Sequence, residues 1–347
     1  MSSLRSLTFV LLLSTIMLVG CRQTKSPFRA SGRALEVVTV LPDAYATQAL
    51  KDSLRKVFEG PIGVLPQDEP WCTLLFTTKS KFTNVFRIHR NILFVDIDSA
   101  MYTRNGLHIS RDEFANGQFI ITAKSPNLES FKGMIRSQAP RVGKMIYREE
   151  LMRKFDELQG TYSSAMQKLV EDSIGGVTIN PIVEIKFTKA SKEFVWGSDM
   201  NTSGRQDIVV YSYPYTSTST FTPNYLIRKR DSVMSRHILG EYLNSYMTTE
   251  KRITPMSSVY TIHGAYCYEL RGLWHMEGDM MGGPFVMHAM VDNAHGRVIV
   301  AEAFVYAPSK EKRNLLMNAE ACLFTLRPMD TELVRDSVFG DILPFGN

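Results

Sequence analysis

VYTIHGAYCYELRGLWHM, residues 259–276, alternates from one parity to the other over nearly its whole length. Tyr260, Ile262, Tyr266, Tyr268, Leu270, Trp274 and Met276 share one parity; Thr261, His263, Cys267, Glu269, Arg271 and His275 share the other. A repeat of two places successive side chains on opposite faces of a strand. Gly264 and Gly272 read as bends or bulges in one long strand. A Gly-rich connection, EGDMMGGP (277–284), leads to a second strand, FVMHAMVD (285–292). Asn293-Ala294-His295-Gly296 is a turn, and RVIVAEAFVYAP (297–308) returns. Ser309 is a suitable N-cap for a last helix that buries Leu315, Leu316, Ala319, Cys322 and Leu323. Residues 251–347 therefore read as an antiparallel meander closed by a C-terminal helix.

Upstream, strands and helices alternate. ALEVVTVLP (34–42) reads as a strand, and Leu50, Leu54, Val57 and Phe58 recur at helical spacing until Gly60. CTLLFTT (72–78), FTNVFRIHR (82–90), NILFVDID (91–98) and GQFIITAK (117–124) read as strands. A helix opens at Ser125-Pro126-Asn127 and ends or bends at Pro140. A long amphipathic helix follows through Leu151, Phe155, Leu158, Tyr162, Met166, Leu169 and Val170 to Gly175-Gly176. ANGQFIITAKSPN (115–127) is echoed by TSGRQDIVVYSYPY and TPN within 202–224. The expected fold is α+β: two related ferredoxin-like strand/helix units, over 34–176 and 177–250, and then the meander.

The chain has 347 residues, 44% apolar and 22% charged, with a formal charge of +5. That length can bury a core without disulfide support. The charge is too small and too dispersed for a nucleic-acid binder, which concentrates Lys and Arg on one face. The four cysteines, Cys21, Cys72, Cys267 and Cys322, form no CxxC pair.

At the N-terminus, Arg5 precedes an apolar run, LTFVLLLSTIMLV (7–19), which is shorter than the roughly 20 residues of a membrane span. A basic start, a short apolar stretch and small residues before a break describe a signal peptide over 1–20. Leu18-Val19-Gly20-Cys21 resembles the lipobox of bacterial lipoproteins. That resemblance implies cleavage before Cys21, acylation of its thiol and attachment to a membrane through the lipid. Residues 22–33, RQTKSPFRASGR, carry Arg22, Lys25, Arg29 and Arg33 with no acid, and read as a flexible tether. Arg22, rather than Asp, follows the cysteine; this resembles the sorting pattern for the outer membrane, with the body facing the periplasm. GLWHMEGDMMGGPFVMHAMVD (272–292) and AEAFVYAPSKEKRNLLMNAEACLFTL (301–326) resemble segments of an uncharacterised lipoprotein family of Bacteroidota. The resemblance covers most of residues 35–326 and implies an envelope lipoprotein. It brings no activity and no catalytic residue.

Several constellations are candidates for chemistry. ILFVDIDSA (92–100) resembles the first motif of haloacid-dehalogenase phosphatases, in which Asp96 would attack phosphorus and Asp98 act as acid/base. Ala100 and Met101 depart from that pattern, and no later acidic pair completes it; the alternative is a strand end with two solvated carboxylates. His275, Glu277 and Asp279 alternate along an extended chain about 6.6 Å apart, so they form a candidate polar site but no complete metal set. His263 and Cys267 lie about 13 Å apart on one strand face, so they cannot pair directly, although His288 could approach either. Five Asp-Ser-aliphatic tripeptides, at 52–54, 98–100, 172–174, 231–233 and 336–338, resemble O-glycosylation acceptors of Bacteroidota envelope proteins. Tyr211, Tyr213, Tyr215 and Phe221 flank a Ser/Thr-rich loop that suits a carbohydrate or protein surface, or else folds back on its own sheet. No catalytic set, cofactor or metal is assigned. The expected protein is a lipid-anchored binding or assembly component of the envelope, with a protein or glycan partner. The rival is a membrane-tethered hydrolase with its site near the 277–284 connection.

Overall fold

The computed structural model describes residues 26–340; the signal peptide, Cys21 and the first part of the expected tether lie outside the described residues. The first sheet contains β1 (Glu36–Leu41), β2 (Thr73–Thr78), β3 (Asn91–Ile97), β4 (Gly106–Arg111) and β5 (Phe119–Ser125) in the order β2-β1-β3-β5-β4. Between β1 and β2 runs α1 (Gln48–Phe58), which buries Leu50, Leu54 and Phe58 and is capped by Thr47. After β5 comes α2 (Leu128–Leu158), capped by Asn127, and then α3 (Ser164–Ile174), capped by Ser163.

The second sheet contains β7 (Phe187–Ser191), β8 (Phe194–Ser198), β9 (Arg205–Pro214), β10 (Tyr246–Thr249), β11 (Met256–Ile262), β12 (Ala265–Glu277), β13 (Gly282–Asp292) and β14 (Arg297–Tyr306). Their order is β10-β12-β13-β14-β9-β8-β7, and β11 also pairs with β12. A short pair, β6 (Val177–Thr178) with β15 (Arg327–Pro328), ties the two ends of this half together. The remaining helices are α4 (Pro223–His237), α5 (Arg313–Leu323) and α6 (Asp336–Phe339).

The molecule is layered. One continuous core joins the helix-covered face of the first sheet, α1, α2, α3, α5 and one face of the second sheet. A second core lies between α4 and the opposite face of the second sheet. A small third cluster, Val38, Val40, Ile92 and Ile120, is covered by Phe82, Phe86, Phe94 and Phe114 rather than by a helix. Both faces of the second sheet are thus buried, which is why β13 and β14 are apolar on both parities.

The α+β class and the meander closed by a helix hold. The expected ferredoxin-like pairing does not: β1 pairs parallel with β2 and β3, and β3 parallel with β5, leaving only β4 antiparallel. The later strands form no separate unit, because β9 pairs with β14 over ten positions and draws β7 and β8 into the meander's sheet. Residue 250 lies between β10 and β11, both of which pair with β12 in that sheet.

Four local expectations are also corrected. FTNVFRIHR forms turns, not a strand, because Phe82 and Phe86 must both turn in over the first sheet. Pro140 does not end its helix; it lies on the exposed side of α2, where water can take the place of its missing N–H. The break comes instead at Gln159-Gly160, ahead of the Ser163 cap. Lys312, not Ser309, occupies the N-cap of α5, with Ser309 in a left-handed turn before it.

The stretch 259–276 departs most from expectation. It is a hairpin, not one long strand. His263 (φ 50°) and Gly264 (φ 74°) make a two-residue turn, with Ile262 opposite Ala265 and Tyr260 opposite Cys267. Paired positive φ values are the geometry that two-residue hairpins require. The reversal moves Tyr260 onto the face of Cys267, Glu269 and Arg271. Gly272 is not a bulge either. It pairs in register with Phe285, whose ring lies where a side chain at 272 would be.

Candidate functional site

The long strand β12 changes partners on one edge. Its first half pairs with β11, up to Arg271 opposite Met256, and its second half with β10, from Trp274 opposite Thr249. Residues 250–255 leave the sheet at this junction, held by Glu250 N–H donating to the Leu273 carbonyl at 2.7 Å. On the opposite edge, Gly282 and Gly283 pair with His275 and Trp274 and carry no side chain to fill the space above them. A side chain at Gly282 would come within 2.9 Å of the Trp274 carbonyl, and one at Gly283 would strike the Val305 carbonyl. The result is an open cleft of about 750 Å³ lined by the 250–253 segment, Leu273, Trp274, His275, the 279–283 segment and Pro66.

The structure brings His275 and Asp279 into the wall of this cleft, while Glu277 stands beside His275 outside the lining. His275 Nε2 is 3.6 Å from the Glu277 carboxylate. His275 Nδ1 and Trp274 Nε1 are buried atoms without a hydrogen-bond partner. Asp279 accepts from the Met280 N–H at 2.6 Å, and the turn is closed by Met276 N–H donating to the Met281 carbonyl at 2.8 Å. Opposite, Arg252 donates through Nε at 3.0 Å and Nη2 at 2.6 Å to Glu250, which holds that carboxyl down at about 2. Sequence reasoning missed Glu250, Arg252 and Ile253. Their proximity to the Gly-rich connection follows from the β10–β12 pairing, and β10 is too short to signal itself.

Further along the same face of β12 the arrangement is closed. Arg271 Nε and Nη2 donate to Glu269 at 2.8 and 2.9 Å, and Arg271 also bonds both oxygens of Glu320 on α5. Tyr147 of α2 donates to Glu320 at 2.8 Å, Tyr260 to Glu269 at 3.2 Å, and His288 Nε2 lies 3.2 Å from Glu269. All six residues are buried. Burial alone would raise the Glu269 carboxyl, but the Arg271 charge and the His288 bond outweigh it and hold the group near 2. Across the sheet a similar pairing recurs, with Arg230 of α4 bonded to Glu302 and Thr249.

The remaining candidates are absorbed by structure. Asp96 is bound by Lys79 Nζ at 2.6 Å and by the Tyr102 hydroxyl, and Asp98 accepts from the Ala100 and Met101 N–H groups. Cys267 is a buried thiol pushed well up by burial, and His288 is engaged by Glu269. His263 bonds Ser337. Cys72, Cys267 and Cys322 are free and buried. Tyr211 and Tyr213 are buried, and Phe221 packs on Tyr266 and Tyr268, so these aromatics fold back on the sheet. Of the Asp-Ser-aliphatic serines, Ser53, Ser99, Ser232 and Ser337 are exposed, and Ser99 alone of these four stands in a turn rather than a helix. Among the described residues, no group of three His, Cys, Asp or Glu could hold a metal ion, and no helix is long and apolar enough to cross a membrane.

Residues 30–159 match a family model described as Domain of unknown function (DUF8532), and residues 163–325 match another, Domain of unknown function (DUF4837). No curated protein matches the chain. A crystal structure from Bacteroides thetaiotaomicron VPI-5482 is similar at a TM-score of 0.24 and 10% identity, over 45% of this chain and 46% of that one. LpqN, described as involved in cell envelope biogenesis of Mycobacterium tuberculosis, is similar at a TM-score of 0.23 and 12% identity, over 49% of this chain and 99% of its own. The two family matches adjoin where α2 ends and the Ser163 cap of α3 begins.

Proposed function

We propose that this chain is a lipid-anchored envelope protein, held to the outer membrane through Cys21 and facing the periplasm, that binds a polypeptide segment of a partner in the cleft between residues 250–253 and 279–283. The observation that carries the reading is the cleft itself, whose volume suits a ligand site and whose wall brings together His275, Asp279, Glu250 and Arg252. The rim is aliphatic and thioether-rich. Met280 is fully exposed and Ile253 partly so, and the 242–245 turn packs beside Gly278 with Leu243 93% exposed. Methionine adapts to irregular apolar partners, which suits a peptide better than a sugar.

The hydrolase reading has less support. No Ser, Thr or Cys lines the cleft, and the His275–Glu277 separation exceeds hydrogen-bond length. A photo-crosslinking residue at Met280, in intact envelopes, is expected to give a discrete protein adduct that the same probe at exposed Met101 does not give. Identical adducts at both positions would sink the binding reading. Turnover of phosphoesters, esters or glycosides that disappears with His275→Ala would replace it with the hydrolase.

A further inference from the structure

A groove of about 660 Å³ lies at the amino ends of the first sheet's parallel strands, between the 84–88 and 112–114 turns. Ser26 and Phe28 line it, so the start of the described chain forms part of its wall. That start is firmly bonded. Ser26 donates to the Phe114 carbonyl at 2.7 Å, Asn116 donates to the Ser26 carbonyl at 2.6 Å and to the Phe28 carbonyl at 2.9 Å, and Ser31 donates to the Ile88 carbonyl at 2.8 Å. The expected tether over 22–33 is therefore shortened, because from Ser26 onward the chain belongs to the body. Five Cα steps separate Cys21 from Ser26, a reach of at most about 18 Å.

At the groove, two large apolar side chains face outward, Phe28 at 60% and Val85 at 72% exposure. Exposed Arg87 lines the same groove, its guanidinium 4.7 Å from the Phe114 ring centre, and exposed Arg29 follows Phe28 in the chain. Lys25 and Arg22 precede them in sequence. Of the two acids at the groove, Asp112 is occupied by the Gly117 and Gln118 N–H groups, and Glu113 is exposed. Apolar tips set among basic side chains, on a short leash from a lipid attachment point, match the chemistry of an anionic bilayer surface.

We infer that this groove mouth is a membrane-docking surface: Phe28 and Val85 enter the headgroup region of the bilayer that holds Cys21, and Arg29 and Arg87 meet its anionic lipids. The inference rests on acylation of Cys21, and the short reach then turns that attachment into a fixed orientation. The first sheet's amino end lies down on the membrane. Because the three cysteines in the body are buried, a thiol placed at the surface can be labelled selectively. The test takes the full protein purified from membranes, carrying Val85→Cys or Met280→Cys labelled with bimane, in vesicles of phosphatidylethanolamine and phosphatidylglycerol. The N-terminal peptide is weighed by mass spectrometry in the same preparation. The expected result is a blue shift, with quenching by brominated acyl chains, at position 85 and neither effect at 280. Equal signals at both positions, or none at 85, with lipid present on Cys21, would overturn the docking surface and leave the anchor intact. An unacylated Cys21 would remove the anchor and the docking together.

Discussion

Arg271 and His275 lie four residues apart on one face of one strand, and the fold treats them oppositely. Arg271 is enclosed by helices α2 and α5, and its guanidinium is met by two carboxylates. His275 lies past the point where β11 gives way to β10; it is over a third exposed, with Nδ1 unpartnered. Where helices cover the strand, the charges of Glu269, Arg271 and Glu320 are met within the chain. Where the strand end faces the cleft, His275 keeps a partly exposed ring that an outside partner can reach. The comparison separates residues that hold the fold from residues available to a ligand, although both kinds are charged or titratable.

The largest expected effect breaks the closed half. Arg271→Met leaves Glu269 and Glu320 buried without their cation, and removal of one partner of a buried pair costs about 3–5 kcal/mol. Urea unfolding should show that loss, and Glu269→Gln with Glu320→Gln added to Arg271→Met should recover most of it. If Arg271→Met unfolds like the parent, the network is not what joins β12 to α5.

A pH titration sharpens the same point. The Glu269 carboxyl lies near 2 when folded, against an ordinary 4.5. A depressed folded pKa gives stability that is complete above the unfolded value and lost as pH falls through the folded one. Stability should therefore hold down to about pH 4.5 and then decline by on the order of 3 kcal/mol towards pH 2. In Arg271→Met the sign inverts. Without the guanidinium, burial dominates and favours the protonated acid, so unfolding midpoints should rise on acidification from neutral pH. The same downward slope in both proteins would refute the assignment.

Gly283→Ala is expected to cost about 1–3 kcal/mol by overpacking, since the new methyl meets the Val305 backbone carbonyl and not a side chain that could move aside. Gly282→Ala, facing the Trp274 carbonyl at 2.9 Å, should cost less. A chemical denaturation series on the two variants ranks them; the reverse order would show that the strand pair is not as tightly fixed as its register implies.

Much of the second half was legible because β13, its turn and β14 carry their own signals. The hairpin turn was not. An alternating pattern continues unchanged on both sides of His263-Gly264, so periodicity cannot detect the reversal, and His-Gly lacks the usual Asn-Gly or Asp-Gly signature. That one omission reassigned Tyr260 to the wrong face. The first sheet's parallel order was hidden for another reason: strand runs in sequence do not state which neighbour they pair with. For the site, His275 and Asp279 were visible as polar residues beside glycines. Glu250, Arg252 and Pro66 were not, because only tertiary structure brings them there. Nor did the alternation in β12 reveal that Glu269 and Arg271 are buried, since their partners sit on helices far along the chain.

The smallest expected effect tests the open half. His275→Ala removes a partly exposed ring whose Nδ1 bonds nothing within the chain and whose nearest carboxylate is 3.6 Å away. Nothing in the core depends on it, so its unfolding free energy should stay within about 0.5 kcal/mol of the parent, as for most surface substitutions. The same change should diminish the adduct formed through Met280, because the occupant loses a bonding partner while the rim stays intact. Stability and capture are thereby separated in one variant. A loss of stability comparable to that of Arg271→Met would place His275 among the residues that hold the fold, and the contrast along β12 would collapse. An unchanged adduct would move the recognition elsewhere on the rim, to Asp279 or to the Glu250–Arg252 pair.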